Sequence, residues 1–525
     1  MRPIGLLAVL APILIAQQPL ATLPYTPSLD LASMDRAVEP CQNFYMYACG
    51  NWIKSNPIPA DQPRWDVYGK LTYDNQQYLW GLLLDAGKPG ATRTANQQKI
   101  GDMFDSCMDE HQVNAAGAAP MRPLLDKIDA LKSLRDLPAF IAEAHMSSSG
   151  DSMLFDFGAS QDFSDSTRVI GFAGAGGLGL PDRDYYTKDD AKSVEIRKQY
   201  EAHVAAMLRL LGDSEADART GAAVVLRLET ALAKASLTRV EQRDPYKLFH
   251  KMSRAELQKI TPSFQWDRYL HDIGAPGGGK VNVTQPAFYA ELEKQFKATP
   301  LTELKTYLRW HAAHGKAPFL SPAFVDADFE FYGKTLRGTP AQRPRWKRCV
   351  QITDRMLGEA LGQVFVEKTF TPDTKARTVA MTKEIETAMK EEIDALDWMS
   401  PATKKKALEK LHGIANKIGY PDKWRDYSAL EIKRGDYFGN AERGVIFESR
   451  REIAKIGKPV DRGEWEMSAP TVNAYYNPQM NDINFPAGVL QPPLFDPKMD
   501  DAPNYGDTGA TIGHELKISF NEIVP

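Results

Sequence analysis

The chain has 525 residues, of which 43% are hydrophobic and 25% are charged, and its formal net charge is −4. This composition is ordinary for a soluble globular protein, and the length predicts two or more domains around a large core. The slight negative charge and the lack of a long basic run in the sequence argue against nucleic acid as a partner.

The N-terminus has the pattern of an export signal. Arg2 precedes a mostly apolar run from Ile4 to Ala16, which is shorter than the ~20 residues needed to cross a bilayer but fits a secretory signal peptide. Cleavage could follow Ala16 or Ala21, and the alternative to a signal peptide is an uncleaved anchor or a buried helix. We predict an exported protein, periplasmic or extracellular, with residues 1–21 as signal peptide and lead-in and no stable membrane span after cleavage.

The cysteines are Cys41, Cys49, Cys107 and Cys349. Export permits disulfide bonds, because the extracytoplasmic environment is oxidising. The sequence has no Cys-x-x-Cys pair, so we do not expect a cysteine-based zinc site. If all of the cysteines pair, more than one connectivity is possible from the sequence alone.

A helical pattern dominates from about residue 40 to about residue 430. Apolar residues recur at helical spacing over 200–211, and the stretches 222–237 and 374–396 follow the same pattern. Ser400 followed by Pro401 predicts a helix start, because serine is a good N-cap and proline fits the first helical position.

The region from about residue 466 onward has a different character. Residues 471–476 and 482–485 have strand-like composition and are separated by a turn. A short helix is predicted to begin near Asp507, after these strands. Its apolar stripe would consist of Ile512, Leu516 and Phe520.

This last helix carries residues of a catalytic type. His514 and Glu515 match the start of the motif His-Glu-x-x-His, in which two histidines one turn apart bind Zn²⁺ and the glutamate is the general base. Ile518 stands where the second histidine is required, and its side chain has no lone pair for a metal. The alternative is an ordinary helix surface, although the strands before the helix favour a site.

A second histidine pair, His311 and His314, could present both rings on one helix face. These histidines lie beside Trp310 and Leu308. Histidines in such surroundings are more often packed or solvated than bound to a metal, so we expect no metal site there.

A series of short motifs runs along the chain between residue 40 and residue 515. They are Pro40–Trp52, Gly177–Tyr186, Phe331–Lys334, Arg343–Cys349, Val472–Tyr476, Phe485–Pro493, Asn504–Gly506 and Ile512–Glu515. In their sequence and order, these motifs resemble the neprilysin and endothelin-converting-enzyme family of zinc metallopeptidases.

The resemblance implies a mainly α, two-lobed fold, with a large helical lobe and the first part of a thermolysin-like α/β catalytic lobe. We accordingly assign residues 35–440 to a helical N-terminal domain and residues 466–525 to a truncated catalytic domain. The implied function is that of a zinc metalloendopeptidase, which hydrolyses peptides through a zinc-activated water and encloses them in a chamber.

The resemblance also implies roles for single residues. Asn473 and Ala474 would lie on an edge strand and bind the substrate backbone, as an added peptide strand requires. Without the resemblance, Asn473 would be an ordinary strand residue next to a turn. His514 would be a zinc ligand and Glu515 the catalytic base. The resemblance further pairs Cys107 with Cys349 in a disulfide bond.

The sequence departs from the family at several positions. Ile518 replaces the second zinc histidine, and the family's third zinc ligand and the partners of Cys41 and Cys49 would lie beyond residue 525. Zinc is therefore the cofactor expected for the family, but we do not expect this chain to bind it stably. The alternative function is a catalytically dead, truncated homologue or a peptide-binding remnant. Point changes and a frameshift followed by an early stop both fit the end of the sequence.

Overall fold

The computed structural model describes residues 17–90, 92–148 and 152–521. The core of the predicted signal peptide, from Ile4 to Ala16, lies outside these residues. Within them the chain is mainly helical with small sheets, which confirms the predicted fold class. None of the described helices is long and apolar enough to cross a bilayer.

The helices are labelled in chain order. The first group is α1 (Phe44–Ser55), α2 (Val67–Gly87), α3 (Ala95–Met108), α4 (Glu110–Ala116), α5 (Arg122–Ala130) and α6 (Leu137–Ser147). The second is α7 (Asp184–Thr187), α8 (Ala191–Leu210), α9 (Glu215–Ala235), α10 (Pro245–Leu248), α11 (Arg254–Ile260), α12 (Trp266–Asp272), α13 (Pro286–Ala298), α14 (Leu301–Lys316) and α15 (Pro322–Asp328). The third is α16 (Arg345–Thr369), α17 (Pro372–Ala395), α18 (Pro401–His412), α19 (Tyr437–Ile453), α20 (Asp501–Asn504) and α21 (Ala510–Asn521).

Two segments form π-helical turns, Phe329–Leu336 and Tyr505–Gly509, and the second leads directly into α21. The strands are β1 (Phe155–Asp162), β2 (Asp165–Ala175), β3 (Lys251–Met252), β4 (Val281–Val283), β5 (Ala415–Gly419), β6 (Tyr475–Asn477) and β7 (Asp482–Pro486).

The helices predicted from periodicity are present. α8, α9 and α17 cover most of the stretches 200–211, 222–237 and 374–396. Ser400 caps α18, since its side chain accepts a hydrogen bond from the backbone N–H of Thr403. These predictions were possible because each helix buries one apolar face.

The predominantly helical region also contains a four-stranded sheet that the sequence pattern did not predict. Its strand order is β1-β2-β4-β3, with β1 and β2 antiparallel. In β2 the buried positions alternate at Val169, Gly171 and Ala173. The small side chains at two of these positions weaken the apolar alternation by which strands are identified from sequence.

The apolar residues form two core clusters. The first draws on segments between Met121 and Phe331 and also includes Ile453. The second joins α2, α3 and α16 to β5, β7 and α21, and includes the fully buried Phe104, Phe365 and Phe485. Full burial of such a side chain contributes about 1.5–3 kcal/mol, so each cluster stabilises its own set of elements.

The second core contains a three-stranded sheet in the order β5-β7-β6. The central strand β7 is parallel to β5 and antiparallel to β6, and every residue of β7 is buried. β6 therefore lies at one edge. β5 falls within the predicted domain 35–440 and β7 within 466–525, so the sheet spans both; this domain division remains a prediction.

The strand predicted over residues 471–476 begins later than expected, at Tyr475. The reason is a turn, in which the backbone N–H of Thr471 donates to the carbonyl oxygen of Ser468 at 3.1 Å. Asn473 and Ala474 consequently lie just before the edge strand β6, and their predicted position within a strand was wrong.

A disulfide bond joins Cys107 in α3 to Cys349 in α16, with their Cα atoms 5.6 Å apart. Cys41 and Cys49 are free, the first exposed and the second half-buried. The disulfide closes a loop of 242 residues, so it lowers the conformational entropy of the unfolded chain. In the chain-entropy description this contributes about 5 kcal/mol to the free energy of unfolding.

Candidate active site

α21 sets the orientation of the candidate catalytic residues. Ile512 and Leu516 are fully buried in the second core, as the sequence pattern predicted. Glu515 precedes Leu516 and is only 7% exposed, whereas His514 is exposed. The helix therefore directs the carboxylate of Glu515 towards the protein and leaves the imidazole of His514 at the surface.

Glu515 contacts the edge strand. Its carboxylate accepts a hydrogen bond from the backbone N–H of Tyr476 in β6. Burial raises the pKa of Glu515, while the neighbouring His514 and the N–H of Tyr476 act in the opposite direction. A carboxylate with a raised pKa is better suited to take a proton near neutral pH, so Glu515 has the environment of a general base.

A second acidic residue with a raised pKa, Asp507, lies in the π-helical turn before α21. Burial raises the pKa of Asp507 to about 6, and a hydrogen bond with Tyr68 of α2 partly offsets this. The hydroxyl of Tyr68 also lies 3.1 Å from that of Thr511. No motif in the sequence marks Asp507 or Tyr68 as a functional residue. The spacing of seven residues between Asp507 and His514, which is close to two helical turns, could have indicated the former.

The residues that the resemblance implies for peptide binding lie just before the strand that contacts Glu515. Asn473 is exposed and Ala474 is buried, and they precede Tyr475 and Tyr476 of β6. Because Glu515 is bonded to Tyr476, the start of α21 lies directly beside the segment 473–476.

The residues present do not fit a catalytic zinc ion, which takes three protein ligands and a water. Within residues 17–90, 92–148 and 152–521, no three His, Cys, Asp or Glu side chains are grouped so that they could hold a metal ion. Ile518, at the position of the second histidine, is half-buried and packs against the second core. His514 is thus without the helical partner that the motif requires.

The histidine pair of α14 is packed, as predicted. His311 is fully buried and its Nε2 atom lies 3.0 Å from a carboxylate oxygen of Glu229. His314 stacks on Trp310 and Tyr332, with ring centroids 5.3 and 4.9 Å apart. The hydroxyl groups of Tyr186 and Tyr200 donate to the same buried carboxylate. This cluster is a hydrogen-bonded part of the first core.

The chain matches both models of the family described as "Peptidase family M13". The N-terminal model matches residues 40–421 and the other matches residues 473–523. The first match alone covers more than half of the chain.

The chain is also similar in sequence to known proteins. Endothelin-converting enzyme 1 of Mus musculus is 33% identical over 515 residues, with 94% of this chain and 66% of the relative covered. Neprilysin-3 of Drosophila melanogaster is 30% identical over 518 residues, with the same coverage. The chain thus spans slightly less than two thirds of the length of these relatives.

Solved structures share the fold. The zinc metalloprotease Zmp1 of Mycobacterium tuberculosis, in complex with an inhibitor, has a TM-score of 0.88 at 35% identity, covering 95% of this chain and 75% of that one. PepO of Lactobacillus rhamnosis has a TM-score of 0.82 at 25% identity, covering 92% and 76%. In sequence and in fold, this chain belongs to peptidase family M13.

Proposed function

We propose that this protein acts on peptides, at the surface formed by residues 473–476 and the start of α21, and that its function is peptide-bond hydrolysis of the kind implied by its family. The observation that carries the proposal is the buried Glu515 carboxylate bonded to the N–H of Tyr476. It joins a candidate base to the edge strand beside which a substrate backbone would lie.

Peptide binding follows from the chemistry of a sheet edge. β6 is an edge strand, and an extended peptide that adds beside such a strand is held mainly by main-chain hydrogen bonds. We propose that Asn473 and Ala474, which lead into β6, bind the substrate backbone. This mode favours an extended conformation over any one sequence.

The roles that the family implies are general base for Glu515 and metal ligand for His514. Zinc is the cofactor that the family implies, but the described residues do not complete its ligand set. We therefore assign no catalytic step to zinc in this chain. Export to the periplasm or the extracellular space, through the apolar run Ile4–Ala16, is part of the same proposal.

One observation favours a second function, peptide binding without hydrolysis. Ile518 cannot bind a metal, and its side chain packs against the second core. The loss of this ligand affects hydrolysis, whereas peptide binding at residues 473–476 would persist in the absence of turnover. The loss of a metal ligand has a larger effect than the loss of a residue that hydrogen-bonds to a ligand. Losses of the second kind alone typically reduce metal affinity or activity by ~10–100-fold.

The two functions are separated by measurements on the full chain. Zinc content by elemental analysis, cleavage of an extended peptide with and without a chelator, and peptide binding by fluorescence anisotropy should be measured together. One zinc per chain with chelator-sensitive cleavage that Glu515→Gln abolishes establishes hydrolysis. Binding without zinc or cleavage establishes the second function, and the absence of binding contradicts both.

A further inference from the structure

The segment that follows the apolar run of the leader is seated on the folded protein. We call residues 17–25 the N-terminal strap. The strap forms neither helix nor strand, and Leu20 and Leu23 pack against the second core. Because such a segment makes few hydrogen bonds of its own, its path depends on the contacts that the rest of the protein supplies.

The first contact joins the start of the strap to a core tryptophan. The side-chain amide oxygen of Gln17 accepts a hydrogen bond from Nε1 of Trp346 in α16, at 2.8 Å. Trp346 is only 6% exposed and stacks on Trp80, with ring centroids 4.7 Å apart. A buried indole N–H without an acceptor is destabilising. Gln17 therefore completes the hydrogen bonding of a residue in the second core.

The second contact seats the strap on α2. The backbone N–H of Leu20 donates to the carbonyl oxygen of Gln77 at 3.1 Å, and the side-chain amide of Gln77 donates to the carbonyl oxygen of Gln18 at 3.1 Å. A Cβ atom at Gly81 would lie 2.5 Å from the carbonyl oxygen of Leu20. Glycine is disfavoured inside a helix, so its presence at this point of α2 is explained by the room that the strap requires.

The third contact fixes the end of the strap. The hydroxyl of Tyr25 donates to the fully buried carboxylate of Asp496, at 2.8 Å. The ammonium group of Lys498 lies 4.6 Å from the ring centroid of Tyr25, within the range of a cation–π interaction. The strap thus joins α16 and α2 to the segment that precedes α20.

The two cleavage sites that the sequence allows differ in what they leave of the strap. Cleavage after Ala16 keeps all of its contacts. Cleavage after Ala21 would remove the acceptor of the Trp346 N–H and the residue that is seated on Gly81. A signal peptidase acts before the protein folds, so these contacts do not guide the enzyme. They show which residues the folded protein uses, and those residues must be present in the mature chain.

We infer that a signal peptidase hydrolyses the peptide bond between Ala16 and Gln17, so that the mature protein begins at Gln17 and keeps the whole strap. In this step water breaks the C–N bond, which leaves a carboxylate on Ala16 and an α-ammonium group on Gln17. The small alanine stands where such enzymes require a small residue, immediately before the cut. This inference rests on the proposed export of the protein.

The test reads the first residue of the exported protein. The full chain is expressed with its own leader in a bacterial host, and the protein recovered from the periplasm or the medium is analysed by mass spectrometry. Its N-terminal tryptic peptide ends at Arg36. We expect this peptide to begin at Gln17, either as glutamine or as the lactam that an N-terminal glutamine forms with loss of ammonia. Any other first residue, Thr22 above all, would overturn the inference.

A second measurement tests the strap itself. Two chains that start at Gln17 and at Thr22 are exported with the same foreign leader, and their unfolding by urea is compared. We expect a lower midpoint for the chain that starts at Thr22, and also for Gln17→Leu in the longer chain, because the Trp346 N–H loses its acceptor. Gln18→Leu is the matched control, since Gln18 is exposed and contacts Gln77 through its backbone. Equal midpoints for the two starts would contradict the role of the strap and overturn the inference.

The outcomes separate this inference from the proposed export. An exported protein that begins at Thr22, or one that keeps its leader as an anchor, overturns the inference and leaves export standing. A protein that stays in the cytoplasm with the leader attached contradicts the proposed export, and the inference fails with it.

Discussion

The carboxylate of Asp354 in α16 accepts a hydrogen bond from the hydroxyl of Ser468, with Oδ2 and Oγ 3.0 Å apart. The same hydroxyl lies 3.1 Å from that of Thr471, two residues before Asn473. The other carboxylate oxygen of Asp354 is buried and has no hydrogen-bond partner among the described residues. This contact fixes the start of the segment that leads into β6.

Stability should depend on the protonation of Asp354. Burial raises the pKa of Asp354 from 3.8 to about 6. The folded state therefore binds this proton more tightly than the unfolded state, and the contribution of Asp354 to stability falls as pH rises from about 4 to about 6. Asp354→Asn removes the buried charge, so above pH ~6 we expect it to raise the melting temperature.

Thermal unfolding at about pH 4.5 and about pH 7.5 checks this expectation. The difference between Asp354→Asn and the unaltered protein should be large at the higher pH and small at the lower one. Equal shifts at both pH values would show that Asp354 is not titrating in this range.

Gly488 should not tolerate a side chain. A Cβ atom there would lie 2.1 Å from the carbonyl oxygen of Pro470, which belongs to the backbone and cannot move alone. We expect Gly488→Ala to destabilise the protein by about 1–3 kcal/mol and to weaken peptide binding, because the segment before Asn473 must shift.

Gly513→Ala is the matched control in α21. Apart from its chain neighbours and the adjacent backbone of α21, no heavy atom lies within 4 Å of a Cβ atom placed at Gly513, and alanine is favoured over glycine in a helix by about 1 kcal/mol. We expect a small gain in stability, measured by denaturant unfolding. A loss comparable to that of Gly488→Ala would contradict the described packing of α21.

The disulfide bond between Cys107 and Cys349 should contribute substantially to stability. It joins helices α3 and α16 in the second core. Replacing both cysteines by alanine should lower the free energy of unfolding by about 2–5 kcal/mol. Replacing the free Cys41 by alanine is the control, and denaturant unfolding under non-reducing conditions should show little change for it.

Ile518→His should create metal affinity. His514 and residue 518 are four residues apart in α21, so two imidazole groups would share one helix face as in the complete motif. We expect calorimetry to detect zinc binding to Ile518→His that His514→Ala abolishes, and no stoichiometric binding to the unaltered chain. Equal zinc binding by both forms would mean that other ligands hold the ion.

The helices were predictable because α8, α9 and α17 bury one apolar face each, and this gives a periodic sequence. The sheet of β1 to β4 was not predictable, since Gly171 and Ala173 interrupt the apolar alternation of β2. Glu515 was identified by its motif and resemblance, whereas its contact with Tyr476 depends on how α21 packs against β6. Tyr68 and Asp507 were missed because they meet only after α2 has packed beside α21.

The parallel pairing of β5 with β7 has a consequence for synthesis. The central strand Asp482–Pro486 is made after β5 and after the long helices that share its core. At ~5–20 residues per second, the apolar faces of α2, α3 and α16 emerge from the ribosome many seconds before β7 can cover part of their common core. A chaperone that binds exposed apolar helices should therefore associate with the nascent chain until β7 has emerged.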